Sequence, residues 1–250
     1  MALQEELKQQ GDFLFRYRSY FPLILLILGL GVQVYESTLD NNYFPVLENT
    51  LETAAIFVGL FGFFIRAFTI GYTPKNTSGR NTKAGQVADT LNTAGLYSLI
   101  RNPLYVGNYF MWLSIAMLTG NICMIFVFSL VFWIYYERIV FAEEEFLRRK
   151  FGEAYLTWTE EVPPFLPKHF KYSKPAMDFS WKKVLRKEKN GIFALFLVFL
   201  VFLSVEAYLE NGEYITDKTW IIVGTVVTGV LYFILKFLKK YTNCLSEKDM

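Results

Sequence analysis

Two polar clusters in an otherwise apolar chain carry side chains suited to holding a charged ligand. The first, Leu91–Gly107, reads LNTAGLYSLIRNPLYVG and sets Arg101 and an Asn-Pro step directly against an apolar stretch. The second is the acidic run Glu143–Glu145. The first cluster offers N–H donors for a carboxylate, and the second offers carboxylates for a cation. The two clusters therefore suit one ligand that carries charges of both signs.

The Asn102-Pro103 step predicts the start of a helix. Proline fits the first helical turn, where its missing N–H would have no partner inside the helix. The amides of Leu104–Val106 are then expected to point outward with the positive end of the helix dipole, which favours a carboxylate. The structural alternative is an interfacial cap whose Arg101 side chain reaches a lipid phosphate.

The elements that must position these clusters are membrane helices. The 250 residues are 53% hydrophobic and 18% aromatic, with a mean hydropathy of +0.27, and the apolar residues come in long runs. A span needs about 20 apolar residues to cross about 30 Å of hydrocarbon. Six segments meet or approach this length: 20–36, 51–70, 104–119, 121–142, 191–209 and 219–238. We predict an all-α, polytopic integral membrane protein with about six transmembrane helices.

The distribution of Lys and Arg predicts the orientation. Both termini and the 71–103 and 143–190 loops are basic. The connections on the opposite side of the membrane, 37–50, 119–121 and 210–218, contain only Lys218. We therefore expect both termini and both long loops in the cytoplasm, at the cell membrane or an endomembrane. A net charge of +2 does not suggest nucleic-acid binding. The two cysteines, one in a span and one in the tail, have no ligand spacing, so we expect no metal and no disulfide.

A very short outer connection brings the two clusters together. Only Thr119–Asn121 separates the third and fourth predicted spans, which forces an antiparallel helical hairpin. Because two helices of similar length then begin and end at the same interface, residues 101–103 and 143–145 should meet at the cytoplasmic mouth.

The acidic pair favours a cationic ligand. A carboxylate without a counter-charge at a membrane boundary is costly, and acidic residues at the C-terminal end of a helix oppose its dipole. Both facts favour a ligand site at Glu143 and Glu144 over a solvated acidic turn.

Beyond Glu145, apolar residues at helical spacing predict a cytoplasmic amphipathic helix, which Pro163 ends. Two compatible roles fit this helix: it lies on the membrane surface at the lipid headgroups, and it forms a lid over the ligand site. The 168–190 segment reads as a basic interfacial linker, and we expect a scaffolding or oligomerisation role for the last hairpin. The pattern carries no signal for an oligomeric state.

Two ionisable residues lie one to two turns deeper than the acidic pair. Glu137 and Arg138 are adjacent, point to different sides of the helix and are each expected to need a partner. Arg138 is the candidate for binding an anionic acceptor, because a guanidinium can donate paired hydrogen bonds to a carboxylate or a phosphate. Arg66 is a second candidate, although it is better placed to reach the headgroups.

These motifs resemble the cofactor-binding half of the isoprenylcysteine carboxyl methyltransferase and phospholipid methyltransferase families. The family pattern is Thr-x-Gly-x-Tyr, Arg-His-Pro-x-Tyr-x-Gly, a Glu-Glu pair, Phe-Gly-x-x-Tyr and a Val-Pro step. The matching residues here are Thr93, Gly95, Tyr97, Arg101, Pro103, Tyr105, Gly107, Glu143, Glu144, Leu147, Phe151, Gly152, Tyr155, Val162, Pro163 and Pro167. Asn102 replaces the family's His, which keeps hydrogen bonding and removes acid-base chemistry at this position. The resemblance covers about residues 50–168.

The resemblance implies an enzyme that uses S-adenosylmethionine without a Rossmann domain and methylates a lipid-like or prenylated acceptor. A carboxylate or phosphate acceptor would need no general base, whereas an amine would have to lose a proton. By position in the family motifs, the cofactor-binding residues are Asp89, Thr90, Leu91, Asn92, Tyr97, Arg101, Asn102, Pro103, Leu104, Tyr105, Glu143 and Glu144. The predicted catalytic residues are Arg138 and Glu144.

The predicted organisation has three parts: residues 1–50 with the first span, residues 51–168 as the methyltransferase core, and residues 169–250 with a basic linker and a final hairpin. One alternative is the sterol and steroid reductase group, which uses NADPH. It tends to carry an acid where this chain has Asn108, so the methyltransferase is favoured. The other alternative is a transporter or scaffold, although no inverted repeat or broken midplane helix is evident.

Overall fold

The computed structural model describes residues 2–38, 45–74, 77, 80–82, 85–212 and 215–245. These residues are mostly helical. The helices are α1 (Leu3–Tyr17), α2 (Phe21–Thr38), α3 (Pro45–Tyr72), α4 (Pro103–Met117), α5 (Ile122–Phe151), α6 (Glu153–Glu161), α7 (Trp181–Asn211) and α8 (Thr219–Tyr241). A short 3₁₀ turn covers Leu96–Ser98, and β1 (Arg80–Thr82) pairs antiparallel with β2 (Gly85–Val87). The described residues contain no larger sheet, so a helical fold is observed as predicted.

Four helices are long and apolar enough to cross a membrane, which identifies an integral membrane protein. They cover Thr50–Tyr72, Ile122–Phe151, Trp181–Asn211 and Thr219–Tyr241. Two further predicted spans are shorter: the apolar part of α2 is Leu23–Thr38, and α4 has 15 residues. At about 1.5 Å per residue, α4 alone is about 22 Å long. The total of six spans therefore stays a prediction.

Two buried clusters join the helices. One packs α3, α4, α7 and α8 around residues such as Ala55, Ile115 and Phe202. The other packs α1, α2, α4 and α5 around residues such as Phe15 and Phe128. The α4 helix contributes to both clusters, so it is packed from two sides.

The α3 and α4 helices approach each other closely, and this approach depends on glycine. A Cβ added at Gly107 would lie 2.5 Å from Cγ of Arg66 and 2.8 Å from the carbonyl oxygen of Gly62. Such separations are too short for any side chain, so only glycine at 107 lets the two backbones approach this closely. This contact gives a physical reason for the last glycine of the Leu91–Gly107 cluster.

The predicted α4–α5 hairpin is confirmed. Gly120 turns the chain with φ 64°, and the Asn121 side chain caps α5 by accepting a hydrogen bond of 2.7 Å from the amide of Met124. The antiparallel pair brings the start of α4 beside the C-terminal third of α5.

The ends of several predicted elements were wrong. The predicted amphipathic helix after Glu145 is divided, because α5 continues to Phe151 and Gly152, with φ 54°, separates it from α6. The predicted linker 168–190 is helical from Trp181 onward. The N-terminal polar segment forms α1, which packs on α5 and was not predicted as a helix.

Candidate active site

A cavity of about 770 Å³ lies where the ends of α3, α5 and α8 meet the starts of α4 and α7. Most of the predicted cofactor residues line it. They are Leu91, Asn92, Tyr97, Arg101, Asn102, Leu104, Tyr105 and Glu143. The structure thus brings the two polar clusters of the sequence to one cavity.

A hydrogen bond joins the clusters directly inside the cavity. The Tyr105 hydroxyl donates to Oε2 of Glu143 over 2.9 Å. Tyr105 comes from the first turn of α4, and Glu143 comes from the last third of α5. The bond orients the Glu143 carboxylate and leaves it further lone pairs for a ligand.

Arg101 forms an ion pair with Glu144, the second acid of the cluster, which lies behind the cavity lining. Its Nε lies 3.0 Å from Oε1 of Glu144, and its Nη1 donates to the carbonyl oxygens of Thr159 and Val162, each over 3.2 Å. Arg101 thereby ties α5 to the end of α6. Glu144 is neutralised by this arginine and does not line the cavity.

Tyr155 on α6 completes this group, since its hydroxyl lies beside the Glu144 carboxylate. The side chain is 3% exposed. Burial first, and the adjacent Glu144 carboxylate second, raise the pKa of the Tyr155 hydroxyl. The phenol therefore stays protonated at neutral pH and remains a donor to Glu144.

The segment after α6 is tied to the start of α4. The amide of Arg101 donates to the Pro163 carbonyl over 2.9 Å, and the amide of Asn102 donates to the Pro164 carbonyl over 3.1 Å. The Asn102 side chain also donates to the Pro164 carbonyl, over 3.2 Å. The sequence predicted only that these prolines end a helix, whereas their carbonyl oxygens also fix the position of the residues that precede α4.

The prediction that the amides of Leu104–Val106 are free to bind a carboxylate was wrong in part. The amides of Tyr105 and Val106 both donate to the Asn102 carbonyl, each over 3.1 Å. Their donors are therefore used within the helix start. The helix dipole still points towards the cavity, but anion recognition there falls mainly to side chains.

Besides Glu144, four predicted site residues do not line the cavity. Asp89 and Thr90 are exposed, and Pro103 is fully buried beneath the α4 start. Arg138, the candidate for the acceptor, pairs with Glu137 at 2.9 Å and donates to Gln10 over 3.3 Å. The expectation that Glu137 and Arg138 need separate partners was wrong, because α1 covers this face of α5 and leaves the two to pair with each other.

The first turns of α7 supply cavity residues that sequence reasoning missed. Glu188 accepts two hydrogen bonds from Arg66, of 2.9 and 2.6 Å, so Arg66 is held inside the protein by a two-point ion pair. Lys183, 2% exposed, donates to the Thr73 carbonyl over 2.8 Å. The missed signal was Ser180, whose hydroxyl accepts from the amide of Lys183 and caps α7.

An indole completes the apolar part of the lining. Trp158 on α6 lines the cavity beside Phe146 and Leu147. Its Nε1 is buried and has no hydrogen-bond partner among the described residues. A buried N–H donor without an acceptor is unusual in a folded protein, so this atom suits a ligand acceptor.

Comparison with known proteins agrees with the geometry. The sequence profile of the phospholipid methyltransferase family matches residues 51–154. The protein-S-isoprenylcysteine O-methyltransferase of Schizosaccharomyces pombe is 38% identical over 78 residues, 31% of this chain and 33% of that protein. The enzyme of the same name from Rattus norvegicus is 33% identical over 137 residues, 53% of this chain and 47% of that protein.

A metal-resistance protein is also similar. The cobalt-zinc-cadmium resistance protein CzcN of Cupriavidus metallidurans is 33% identical over 85 residues, 34% of this chain and 39% of that protein. The chain spans about half, or less, of the length of these curated relatives. No solved structure matches the chain significantly. The predicted resemblance is confirmed: residues 51–154, which supply the motif side of the cavity, match the phospholipid methyltransferase family, and the chain is similar to isoprenylcysteine O-methyltransferases.

Proposed function

We propose that the chain is a membrane methyltransferase that uses S-adenosylmethionine and methylates a lipid-like or prenylated acceptor at the cytoplasmic interface. The observation that carries this proposal is the joining of both family motifs on one cavity, through the hydrogen bond from Tyr105 to Glu143. The names of the similar proteins support a methyl-transfer reaction and a prenylated acceptor.

The residues present fit the proposed cofactor. S-adenosylmethionine has an ammonium group and ribose hydroxyls, both of which suit the Glu143 carboxylate that Tyr105 orients. Its adenine has ring acceptors and an apolar face, which suit the unpartnered Nε1 of Trp158 and the neighbouring Leu147. Asn92 and Tyr97 add polar groups to the same lining.

When bound, S-adenosylmethionine would supply an activated methyl group: the acceptor atom would bond to the methyl carbon as the carbon–sulfur bond breaks, and S-adenosylhomocysteine would be the leaving group. The chain's own part is therefore to align two ligands and to exclude water, and no nucleophilic side chain is needed. Glu143 binds and orients, and we assign Glu144 a positioning role, because it acts through Arg101 and Tyr155. Arg138 has no part in this mechanism.

The α6 segment is suited to excluding water from this reaction. Trp158 lines the cavity, Tyr155 lies beside Glu144, and the carbonyls of Pro163 and Pro164 accept hydrogen bonds from the amides at the α4 start. We propose that α6 and the following prolines form the cover of the cofactor site.

Binding measurements on the full chain in detergent test the proposed function. We expect S-adenosylmethionine and S-adenosylhomocysteine to bind in isothermal titration calorimetry without added metal. NADPH is the matched comparison, since it is the cofactor of the reductase alternative. Binding of NADPH, together with no binding of either adenosyl compound, would contradict the proposal and support the reductase alternative.

A further inference from the structure

Residues 165–174, the loop that follows the prolines after α6, carry highly exposed apolar side chains. Leu166 and Phe170 are 79% and 85% exposed. By comparison, Leu130, which points outward from the membrane-spanning helix α5, is 64% exposed. Large apolar side chains with this exposure are unfavourable in water, so they indicate a surface that contacts another apolar phase.

The 165–174 loop is held at both of its ends. Before it, the carbonyls of Pro163 and Pro164 accept hydrogen bonds from the amides at the α4 start. At its far end, the Ser173 carbonyl accepts from the amide of Gly95 over 2.9 Å, and the Ser173 amide donates to the Ser98 hydroxyl over 2.9 Å. The loop therefore has a fixed path, and the side chains between its ends are held on the outside of the protein.

The first end of the loop begins on the lipid-facing surface of a span. The Phe165 ring lies 5.2 Å from the Trp133 ring of α5, and Trp133 is exposed on that helix together with Leu130 and Ile134. Trp133 precedes Glu143 by ten residues, or about 15 Å along the helix axis. The loop therefore begins at a surface that faces the hydrocarbon, deeper than the acid of the cavity.

The chain beyond the loop meets aromatic side chains where α3 ends and α7 begins. The Phe179 ring lies 5.1 Å from the Tyr72 ring and 4.7 Å from the Trp181 ring, and Trp181 is exposed. Tyr and Trp are concentrated at the two membrane–water interfaces of membrane proteins. Both ends of the loop therefore lie at the membrane boundary, and its path follows that boundary.

The charges of the loop complement an anionic surface. Lys168, Lys171 and Lys174 are exposed, and residues 165–174 contain no acidic residue. Lysines that alternate with apolar side chains at an interface are attracted to anionic headgroups. This combination favours a lipid surface over a second protein, because the loop is continuous with the lipid-facing side of α5.

We propose that the 165–174 loop docks on the membrane surface at the cavity side, with Leu166 and Phe170 inserted into the leaflet and its three lysines at anionic headgroups. The contacts at its ends fix the α4 start and the 3₁₀ turn that contains Tyr97, so docking holds this rim of the cavity against the membrane. The proposal goes beyond the proposed function and does not depend on the cofactor or the reaction.

Fluorescence of the full chain in phosphatidylcholine nanodiscs tests the insertion. Ser replaces the two exposed cysteines, Cys123 and Cys244, and Phe170→Cys carries the environment-sensitive dye NBD. We expect its emission to lie to the blue of the dye in water and to be quenched by lipids with a nitroxide on the acyl chain. The matched control is Glu160→Cys, an exposed position on α6, where the same dye should emit as in water and escape quenching.

Two results of this measurement would overturn the proposal. One is equal emission and quenching at positions 170 and 160. The other is a blue shift at 170 without quenching, because protein would then cover the dye. Leu166→Cys with the same dye leaves the Phe170 ring in place. Absence of quenching at both 166 and 170 therefore cannot be ascribed to the loss of that ring, and it would also count against insertion.

Addition of phosphatidylserine to the nanodiscs tests the lysines. With the dye at position 170, we expect stronger quenching in the anionic nanodiscs at low salt, and we expect Lys168→Gln with Lys171→Gln to remove this gain. The matched control is Lys150→Gln with Lys182→Gln, two exposed lysines outside the loop. Equal losses in both double variants, or no gain with phosphatidylserine, would overturn the role given to the lysines of the loop.

Discussion

The two walls of the cavity handle charge in opposite ways. In the motif wall, built from the start of α4 and the end of α5, each acid has a protein partner: Glu143 accepts from Tyr105, and Glu144 pairs with Arg101. In the α7–α8 wall, built from the first turns of α7 and the end of α8, Lys189 lies beside lysines of α8 and its ammonium group donates to the Arg186 carbonyl. The difference indicates that contacts within the chain preorganise the acids of the motif wall, whereas the α7–α8 wall supplies five of the eight cationic side chains of the lining.

The largest expected effect comes from separating the α7–α8 wall from α3, the helix that packs against α4 of the motif wall. Glu188 of α7 is 3% exposed and holds Arg66 of α3 by two hydrogen bonds. Glu188→Ala leaves the partly buried Arg66 guanidinium, 22% exposed, without its carboxylate, so we expect the free energy of unfolding to fall, with the loss for a fully buried pair, about 3–5 kcal/mol, as the upper limit. Unfolding in mixed detergent micelles measures it.

The matched control for this loss is Glu145→Ala. Glu145 forms an ion pair of 3.8 Å with Arg149, which is 57% exposed. Exposed pairs of this kind contribute about 0.3–0.5 kcal/mol. If the two variants lose the same stability, the Arg66–Glu188 pair does not join the walls as described.

A smaller effect is expected where α3 and α4 touch. Gly107→Ala puts a methyl group 2.5 Å from the Arg66 side chain and should cost about 1–3 kcal/mol of stability, because the helices must separate. Gly31→Ala is the control, since an added Cβ there meets nothing within 4 Å. A thermal melt that shows equal shifts for both variants would contradict the close α3–α4 packing.

The smallest expected effect is at Asn102, where the family has His. Its side chain donates to the Pro164 carbonyl, which also accepts from the Asn102 amide. Asn102→Leu therefore removes one of two hydrogen bonds, and we expect a loss of about 0.5–1.5 kcal/mol in stability. Asn102→His keeps a donor and should melt closer to the parent. A loss in the leucine variant as large as that from Glu188→Ala would mean that Asn102 has a further partner.

The arrangement of the motif wall could be predicted because it depends on one short connection between two successive helices. The short connection at Gly120 was enough to predict that Glu143 lies at the start of α4, although the two helices differ in length, with 15 residues in α4 and 30 in α5. Arg138 could not be placed, because its neighbour is α1, a segment about 130 residues earlier whose packing no local pattern indicates.

The α7–α8 wall was missed for a different reason. A basic run before an apolar stretch is typical of an interfacial linker, and the Ser180 cap that starts α7 at Trp181 was overlooked. Moving the helix start by ten residues turns Lys189 and Glu188 from linker residues into helical residues whose side chains line the cavity.

The central claim is that both sequence clusters bind one cofactor, and Glu143→Gln tests it most directly. Calorimetry with S-adenosylhomocysteine should show binding about ten- to a hundredfold weaker than in the parent, because a charge-assisted hydrogen bond contributes about 1.5–3 kcal/mol. Glu137→Gln, on the same helix and paired with Arg138 outside the cavity, should bind like the parent. Parent-like binding in Glu143→Gln, or equal losses in both variants, would contradict the claim.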